Sequence, residues 1–236
     1  MSHPERIVPD ETEPGIVAIH LKRYEFARRF CEGRDVLDAG CGVGYGSAYL
    51  AATARRVVGV DVDAEAIAYA RERYAAANVE FVQADVTTLP FDAATFDVAC
   101  AFEAIEHVAE PERLVAELRR VLRRDGVCVL STPRVDETTT ASANPFHTVE
   151  LAPEDLERML RTRFDDVELY GQRRIQTRRH RLLQRLDPLG LRGRLTFLRP
   201  VSRLVGTPPM AEVGLDGIEI APRALDSATE VVAVCR

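Results

Sequence analysis

Two rhythms of apolar and polar positions alternate along this chain, short β-like runs and longer helix-like stripes. Residues 16–31 (IVAIHLKRYEFARRFC) place Ile16, Ile19, Leu21, Phe26 and Phe30 near a stripe of helical period, which predicts an amphipathic helix outside the core sheet. Short apolar runs then predict strands at 36–39, 56–61, 79–84, 96–102 and 126–132. Between them, helical patterns fall at 47–54, 64–76 and 111–123, the last opened by Pro111 at a position suited to a first helical residue. This βαβ rhythm predicts a parallel sheet with right-handed crossovers. A long loop to about 152 leads to a helix at 153–163 with acids in its first turn, where the helix dipole favours them. Strands at 167–172 and 229–235 bring the count to seven.

The expected fold class is therefore α/β, a mostly parallel sheet of seven strands with helices on both faces. At 236 residues the length favours one domain, divided into a cap helix (1–33), a core (34–172), an insertion (173–206) and a final strand region (207–236). The polar, acidic start MSHPERIVPDETEPG lacks the basic and apolar regions of a signal peptide, and no apolar run reaches the roughly 18–20 residues of a membrane helix. A cytoplasmic location is the expectation. The five cysteines are odd in number and far apart, with no C-x-x-C pair, and read as reduced core residues.

Net charge is −6, but it is unevenly spread. Residues 1–170 carry −12, 171–206 carry ten Arg and one Asp for +9, and 207–236 carry −3. The acidic body disfavours a general nucleic-acid binder. Lys22 stands alone beside 30 arginines, which points to a coding bias toward Arg rather than guanidinium chemistry throughout.

Candidate chemistry begins after the first strand, at Asp38-Ala-Gly40-Cys-Gly42-Val-Gly44-Tyr-Gly46, a turn whose glycines admit positive φ and close approach to a ligand. The dinucleotide fingerprint would need Gly at 45 or 47, where Tyr45 and Ser47 stand, so a nicotinamide reading is disfavoured. Asp61 ends the second strand, placed to accept both hydroxyls of a ribose, and Asp85 ends the third, placed to accept from an adenine amino group. Asp63 reads as a helix cap only. Acids at the ends of three successive parallel strands surround one crevice.

VLDAGCGVGYGS, VVGVDVD, FVQADVTTLPF, FDVACAFEAIEHV and RRVLRRDGVCVLSTP, over residues 36–133, strongly resemble the successive motifs of the class I S-adenosylmethionine (SAM) methyltransferases. The resemblance implies SAM as methyl donor. Asp38 and the Gly40, Gly42 and Gly44 backbone, with Tyr45 beside them, would hold the methionine part. Asp61 with Val62 would take the ribose, and Asp85 with the Val86 amide the adenine. Phe102 and Glu103 would border the sulfonium. The family fold also implies a last strand antiparallel to the rest.

At the acceptor end, Glu103, Glu106 and His107 follow the fourth strand, and His147 lies in the long loop beyond the fifth. Two carboxylates and two imidazoles converging there suit a hard or borderline divalent ion, with Mg²⁺ the first expectation. Without a metal, Glu106 would open a helix and His107 or His147 would be the catalytic base. The small-RNA 3′-terminal ribose 2′-O-methyltransferases carry a comparable Glu/Glu-His pair followed by H-x-F-E; His147-Thr-Val-Glu150 resembles that string except for Val149. The resemblance implies a metal held by Glu103, Glu106, His107 and His147. E-x-x-E-H also resembles the ubiquinone-pathway O-methyltransferases. The combined expectation is O-methylation of a sugar or other small polyhydroxylated substrate. An RNA-terminal ribose and an amino sugar nitrogen are the alternative acceptors.

The leader helix, with His20, Arg23 and Tyr24, resembles the cap helix of many bacterial sugar and natural-product methyltransferases; contact with the SAM carboxylate or substrate is one reading of these residues, and Arg23 as a solvated helix residue is the expectation. For the Arg-rich block at 173–206 three readings stay open: solvated amphipathic helices, a lid over the substrate, and contact with a membrane surface or nucleic acid. Phe197 is its one aromatic residue, which weakens base stacking.

Overall fold

The structure is a computed structural model and describes residues 6–175, 210, 213–222 and 224–236. Expectations for 176–206 lie outside the described residues. Five α-helices and eight strands are described: α1 (Pro14–Arg28), β1 (Asp35–Ala39), α2 (Tyr45–Ala51), β2 (Arg56–Asp61), α3 (Ala64–Tyr74), β3 (Val79–Gln83), β4 (Phe96–Phe102), α4 (Pro111–Val121), β5 (Leu122–Pro133), α5 (Pro153–Leu160), β6 (Val167–Arg174), β7 (Ile218–Ala221) and β8 (Glu230–Cys235).

The strands form one sheet in the order β3-β2-β1-β4-β5-β8-β6-β7. From β3 to β5 every pairing is parallel, and β8 inserts antiparallel between β5 and β6. Because side chains alternate across a strand, each central strand feeds two cores. Leu37, Val58, Ala99 and Leu130 meet α4 and α5 on one face; Val36, Val57, Val98 and Val129 meet α1 and α2 on the other. Strand order reverses at β1 and β4, so the crevice expected of such sheets opens at the carboxyl ends of these strands.

Several boundaries differ from the sequence reading. Strand β7, with only four residues, is an eighth strand, paired antiparallel to β6 and drawing that strand out to Arg174. The fifth strand begins at Leu122 because Leu122 already pairs with Phe96, so α4 stops at Val121. In α1 the buried residues are Gly15, Ala18, Arg23, Tyr24 and Ala27, whereas the expected stripe of Ile16, Ile19, Leu21 and Phe26 is half-buried. Gly15, Ala18 and Ala27 are the small residues of that face. Tyr24 packs where a Cβ on Gly46 would lie 1.9 Å from its ring, so α1 approaches α2 closely. The five cysteines are free thiols and buried, as expected. No helix among the described residues is long and apolar enough to cross a membrane.

Candidate active site

The turn after β1 carries Gly40 at φ 79°, Gly42 at 53° and Gly44 at 87°. Gly44 caps α2, and a Cβ there would meet the Phe81 ring at 2.6 Å as well as a strained backbone. Asp61 holds the turn from the next strand: one carboxylate oxygen accepts from the Gly42 amide at 2.9 Å and the other from Asp63 N at 3.0 Å. Asp63 caps α3 as expected, accepting from the Glu65 and Ala66 amides. It also binds Arg6 at 2.7 Å, a contact with no signal in the sequence. Asp85 closes its own turn, accepting from the Thr87 amide and hydroxyl at 2.8 and 2.7 Å.

These elements open onto a cavity of about 930 Å³. Gly40, Gly42, Tyr45, Asp61 and Val62 line it, as do Asp85, Val86 and Phe102. Asp38 and Gly44 lie behind that lining. Asp38 lies inside β1, fully buried, and its carboxyl accepts from the Ser47 hydroxyl at 2.6 Å and the Tyr24 hydroxyl at 3.3 Å. Burial raises its pKa to about 7, against the opposing pull of those two hydrogen bonds.

Arg23 is corrected most sharply. Far from being solvated, it is 1% exposed, with guanidinium nitrogens 3.6 Å from both Glu103 and Glu230. Burial acts to lower its pKa, but the two carboxylates outweigh burial and hold it above the ordinary value. One nitrogen also reaches His20 Nδ1 at 3.2 Å; burial, then the Arg23 charge, lowers the His20 pKa to about 3. Glu103 sits at φ 49°, a left-handed conformation rare for residues other than glycine and a mark of strain at functional sites. Its carboxylate accepts from Ser131 Oγ at 2.7 Å.

The acceptor end brings three of the four expected metal ligands together. Glu106, His107 and His147 each offer one ligand atom, all within 4.8 Å of one another, whereas Glu103 is outside that group because its carboxylate is engaged by Ser131 and Arg23. Glu106 is 1% exposed on a short 3₁₀ turn (Ile105–His107). One of its oxygens accepts from Thr132 Oγ1 at 3.1 Å, and the other is buried without a hydrogen-bond partner. Burial, then the Glu103 charge, pushes its pKa well above the usual carboxylate range. The two imidazoles stand edge to face, 5.0 Å between centroids.

The loop from 134 to 152 is pinned beneath them. Thr148 donates its amide and its hydroxyl to the Glu106 carbonyl, at 2.8 and 3.0 Å. His147 Nδ1 lies 2.7 Å from Glu150, whose pKa is held low by the Ser142 hydroxyl and then by His147. Asn144 and Phe146 join the cavity wall. Sequence reasoning assigned no role to Arg6, Asn144, Ser131 or Thr132; their only signal is spatial.

Residues 37–130 match the methyltransferase domain family. Over 172 residues the chain is 40% identical to a protein of Mycobacterium tuberculosis named as a probable S-adenosylmethionine-dependent methyltransferase, covering 71% of this chain and 62% of that protein. The chain thus spans somewhat under two thirds of the length of that relative. A fatty-acid O-methyltransferase of Mycolicibacterium smegmatis is 34% identical over 119 residues, half of this chain and 43% of its own. Among solved structures, a SAM-dependent methyltransferase of Thermotoga maritima superposes with a TM-score of 0.63 at 14% identity, covering 94% of this chain and 90% of that one. The fold is that of the class I methyltransferases. The glycine turn, Asp61 and Glu103 fall within the matched segment, while His147 and its loop fall beyond it.

Proposed function

We propose that this chain is a SAM-dependent O-methyltransferase acting on a hydroxyl of a small polyhydroxylated molecule, a sugar or glycoside foremost, with a divalent cation at the acceptor end. The observation that carries this reading is one cavity with two chemistries: a glycine turn with Asp61 and Asp85 at one end, and Glu106, His107 and His147 at the other. The sugar rests on the expected pairing of such a cluster with adjacent oxygens, and oxygen as acceptor is supported by the relative named as a fatty-acid O-methyltransferase.

Glu106, His107 and His147 fit a cation on two counts. A buried carboxylate oxygen of Glu106 is unpartnered, and each imidazole hydrogen-bonds through Nδ1 to an oxygen, as metal-bound histidines do. Bound there, the ion would acidify a coordinated hydroxyl. The chain's own residues do the rest. The Asp61 and Asp85 turns hold the donor, Phe102 screens the sulfonium from water, and the transfer is an in-line displacement in which the acceptor oxygen bonds the methyl carbon as the carbon–sulfur bond breaks. S-adenosylhomocysteine leaves as a neutral sulfide. With the ion held there, a water takes the hydroxyl proton; without it, the Nε2 lone pair of His107 or His147 does, a role that general bases perform for roughly 10²–10⁴-fold in rate.

The test combines calorimetric binding of S-adenosylhomocysteine with transfer of labelled methyl from SAM to a panel of polyols, with Mg²⁺ or with chelator. The expected outcome is binding, transfer to oxygen, and a loss of at least about 10-fold with chelator and with Glu106→Gln. Absence of binding removes the methyltransferase reading. Turnover indifferent to chelator removes the cation and leaves the imidazoles as bases, and product methylated on nitrogen removes the hydroxyl acceptor.

A further inference from the structure

The hydrogen bonds around the two acceptor-end imidazoles fix which nitrogen of each ring carries the proton. For His107, Nδ1 lies 3.0 Å from the Phe146 carbonyl oxygen. A carbonyl only accepts, so Nδ1 is the protonated nitrogen and Nε2 holds the lone pair of the neutral ring. For His147 the chain of reasoning is longer. The Phe146 amide, which can only donate, bonds Asn144 Oδ1 at 3.1 Å, and this orients the Asn144 amide. Its other atom, Nδ2, is therefore the donor that meets His147 Nε2 at 2.9 Å, so Nε2 accepts. The ring proton must sit on Nδ1, which faces the Glu150 carboxylate at 2.7 Å.

The loop that does this is cross-tied. Ser142 Oγ accepts from the Asn144 amide at 2.9 Å and donates to the same Glu150 oxygen at 2.7 Å. Glu150 is anchored by paired backbone bonds with Thr139, 2.8 and 2.9 Å. An imidazole free in water prefers its proton on Nε2, so both rings are held in their less favoured form by partners from this one loop.

We propose that residues 142–150 form a template that sets His107 and His147 in the Nδ1–H tautomer, with Glu150 the positioning residue for His147 and the Asn144 amide in the place that a substrate hydroxyl takes over. The inference deepens the reading of these imidazoles as the acceptor-side groups and rests on that reading for its catalytic meaning. In catalysis, the Nε2 lone pair of His147 faces the acceptor: with the cation held there it is a ligand, and without it the acceptor hydroxyl replaces the Asn144 NH₂ as donor and gives its proton to Nε2 as its oxygen bonds the methyl group. In that cation-free case the imidazolium is held by the Glu150 carboxylate.

Long-range ¹H–¹⁵N correlation spectra of the full chain at about pH 9, above the ordinary imidazole range near 6.5, read the tautomers directly. With five histidines, His107→Phe and His147→Phe variants assign the signals. His20 is the internal control, because Arg23 donates to its Nδ1 and requires the opposite form, Nε2–H. The expected result is Nδ1–H for both His107 and His147. Glu150→Ala should release His147 to Nε2–H and lower kcat by about 10–100-fold with KM for SAM unchanged, while Glu150→Gln, which keeps an acceptor, should retain the tautomer and recover part of the rate. An Nε2–H signal for His147 in the unmodified protein, or its Nδ1–H form surviving in Glu150→Ala, overturns the proposal. Correct tautomers in a protein that transfers no methyl group would uphold the template and overturn the methyltransferase reading instead.

Discussion

The two ends of the cavity treat their acids in opposite ways. At the donor end Asp61 and Asp63 bond through both carboxylate oxygens, to amides and to Arg6, and Asp85 bonds through one to the Thr87 amide and hydroxyl, so each braces a turn. At the acceptor end Glu106 is buried with one oxygen unpartnered, and Glu103 stands in a strained backbone conformation against a buried arginine. An acid that closes a turn stabilises the fold whether or not a ligand is present. One that is buried and incompletely bonded costs stability, and that cost points to chemistry.

The comparison breaks first at Arg23, which ties α1 to the acids at the ends of β4 and β8. Replacing it with Met leaves Glu103 and Glu230 as half-buried carboxylates without a cation. The expected loss is about 3–5 kcal/mol, read as a lower urea midpoint at neutral pH. A loss within error of zero would mean that the seam is held by packing alone. Asp38 gives a smaller effect with a definite pH signature. Its folded-state pKa, about 7 against 3.8, means that the native chain keeps a proton which the unfolded chain releases. Its contribution is therefore whole below about pH 4 and declines as pH rises toward 7, by up to about 4 kcal/mol. Asp38→Asn should flatten that part of the stability profile; an unchanged slope between pH 4 and 7 would show that Asp38 is ionised in the folded state.

The same contrast explains what could be read in advance. Period-two apolar runs and helical stripes follow from burial on two faces, so β1 to β6 and β8 were legible, as was the glycine turn whose φ values only glycine adopts cheaply. Asp63 as a cap was legible too, because capping is local. Strand β7 was not: its four residues, Ile-Glu-Ile-Ala, are defined by pairing with β6 rather than by any period of their own. Arg23 looked solvated because its partners are 80 and 207 positions away. Glu103 was expected among the metal ligands from the loops that share the crevice and from the family resemblance, but it sits at a positive φ with its carboxylate bonded to Ser131. Glu106, His107 and His147 came together as expected, and the residues that orient them were hidden in a loop without periodicity.

The smallest effect sharpens the donor end. Asp63 accepts from the Glu65 and Ala66 amides at 2.7 and 3.0 Å and from Arg6 at 2.7 Å, so it serves a helix and a leader strap at once. Losing the cap alone costs about 1 kcal/mol. Asp63→Ala should therefore destabilise by about that amount if the strap is passive, and by more if the largely buried Arg6 depends on it, since the Arg6 Nη1 atom is already without a hydrogen-bond partner. A double-mutant cycle with Arg6→Ala separates the two, because two contacting residues that cooperate show a coupling of at least about 0.5 kcal/mol. Zero coupling would make Asp63 a helix cap and nothing else. A positive coupling would mean that the leader strap, with Arg6 and Ile7 on the cavity wall, is fastened to the donor end through the same acid that starts α3.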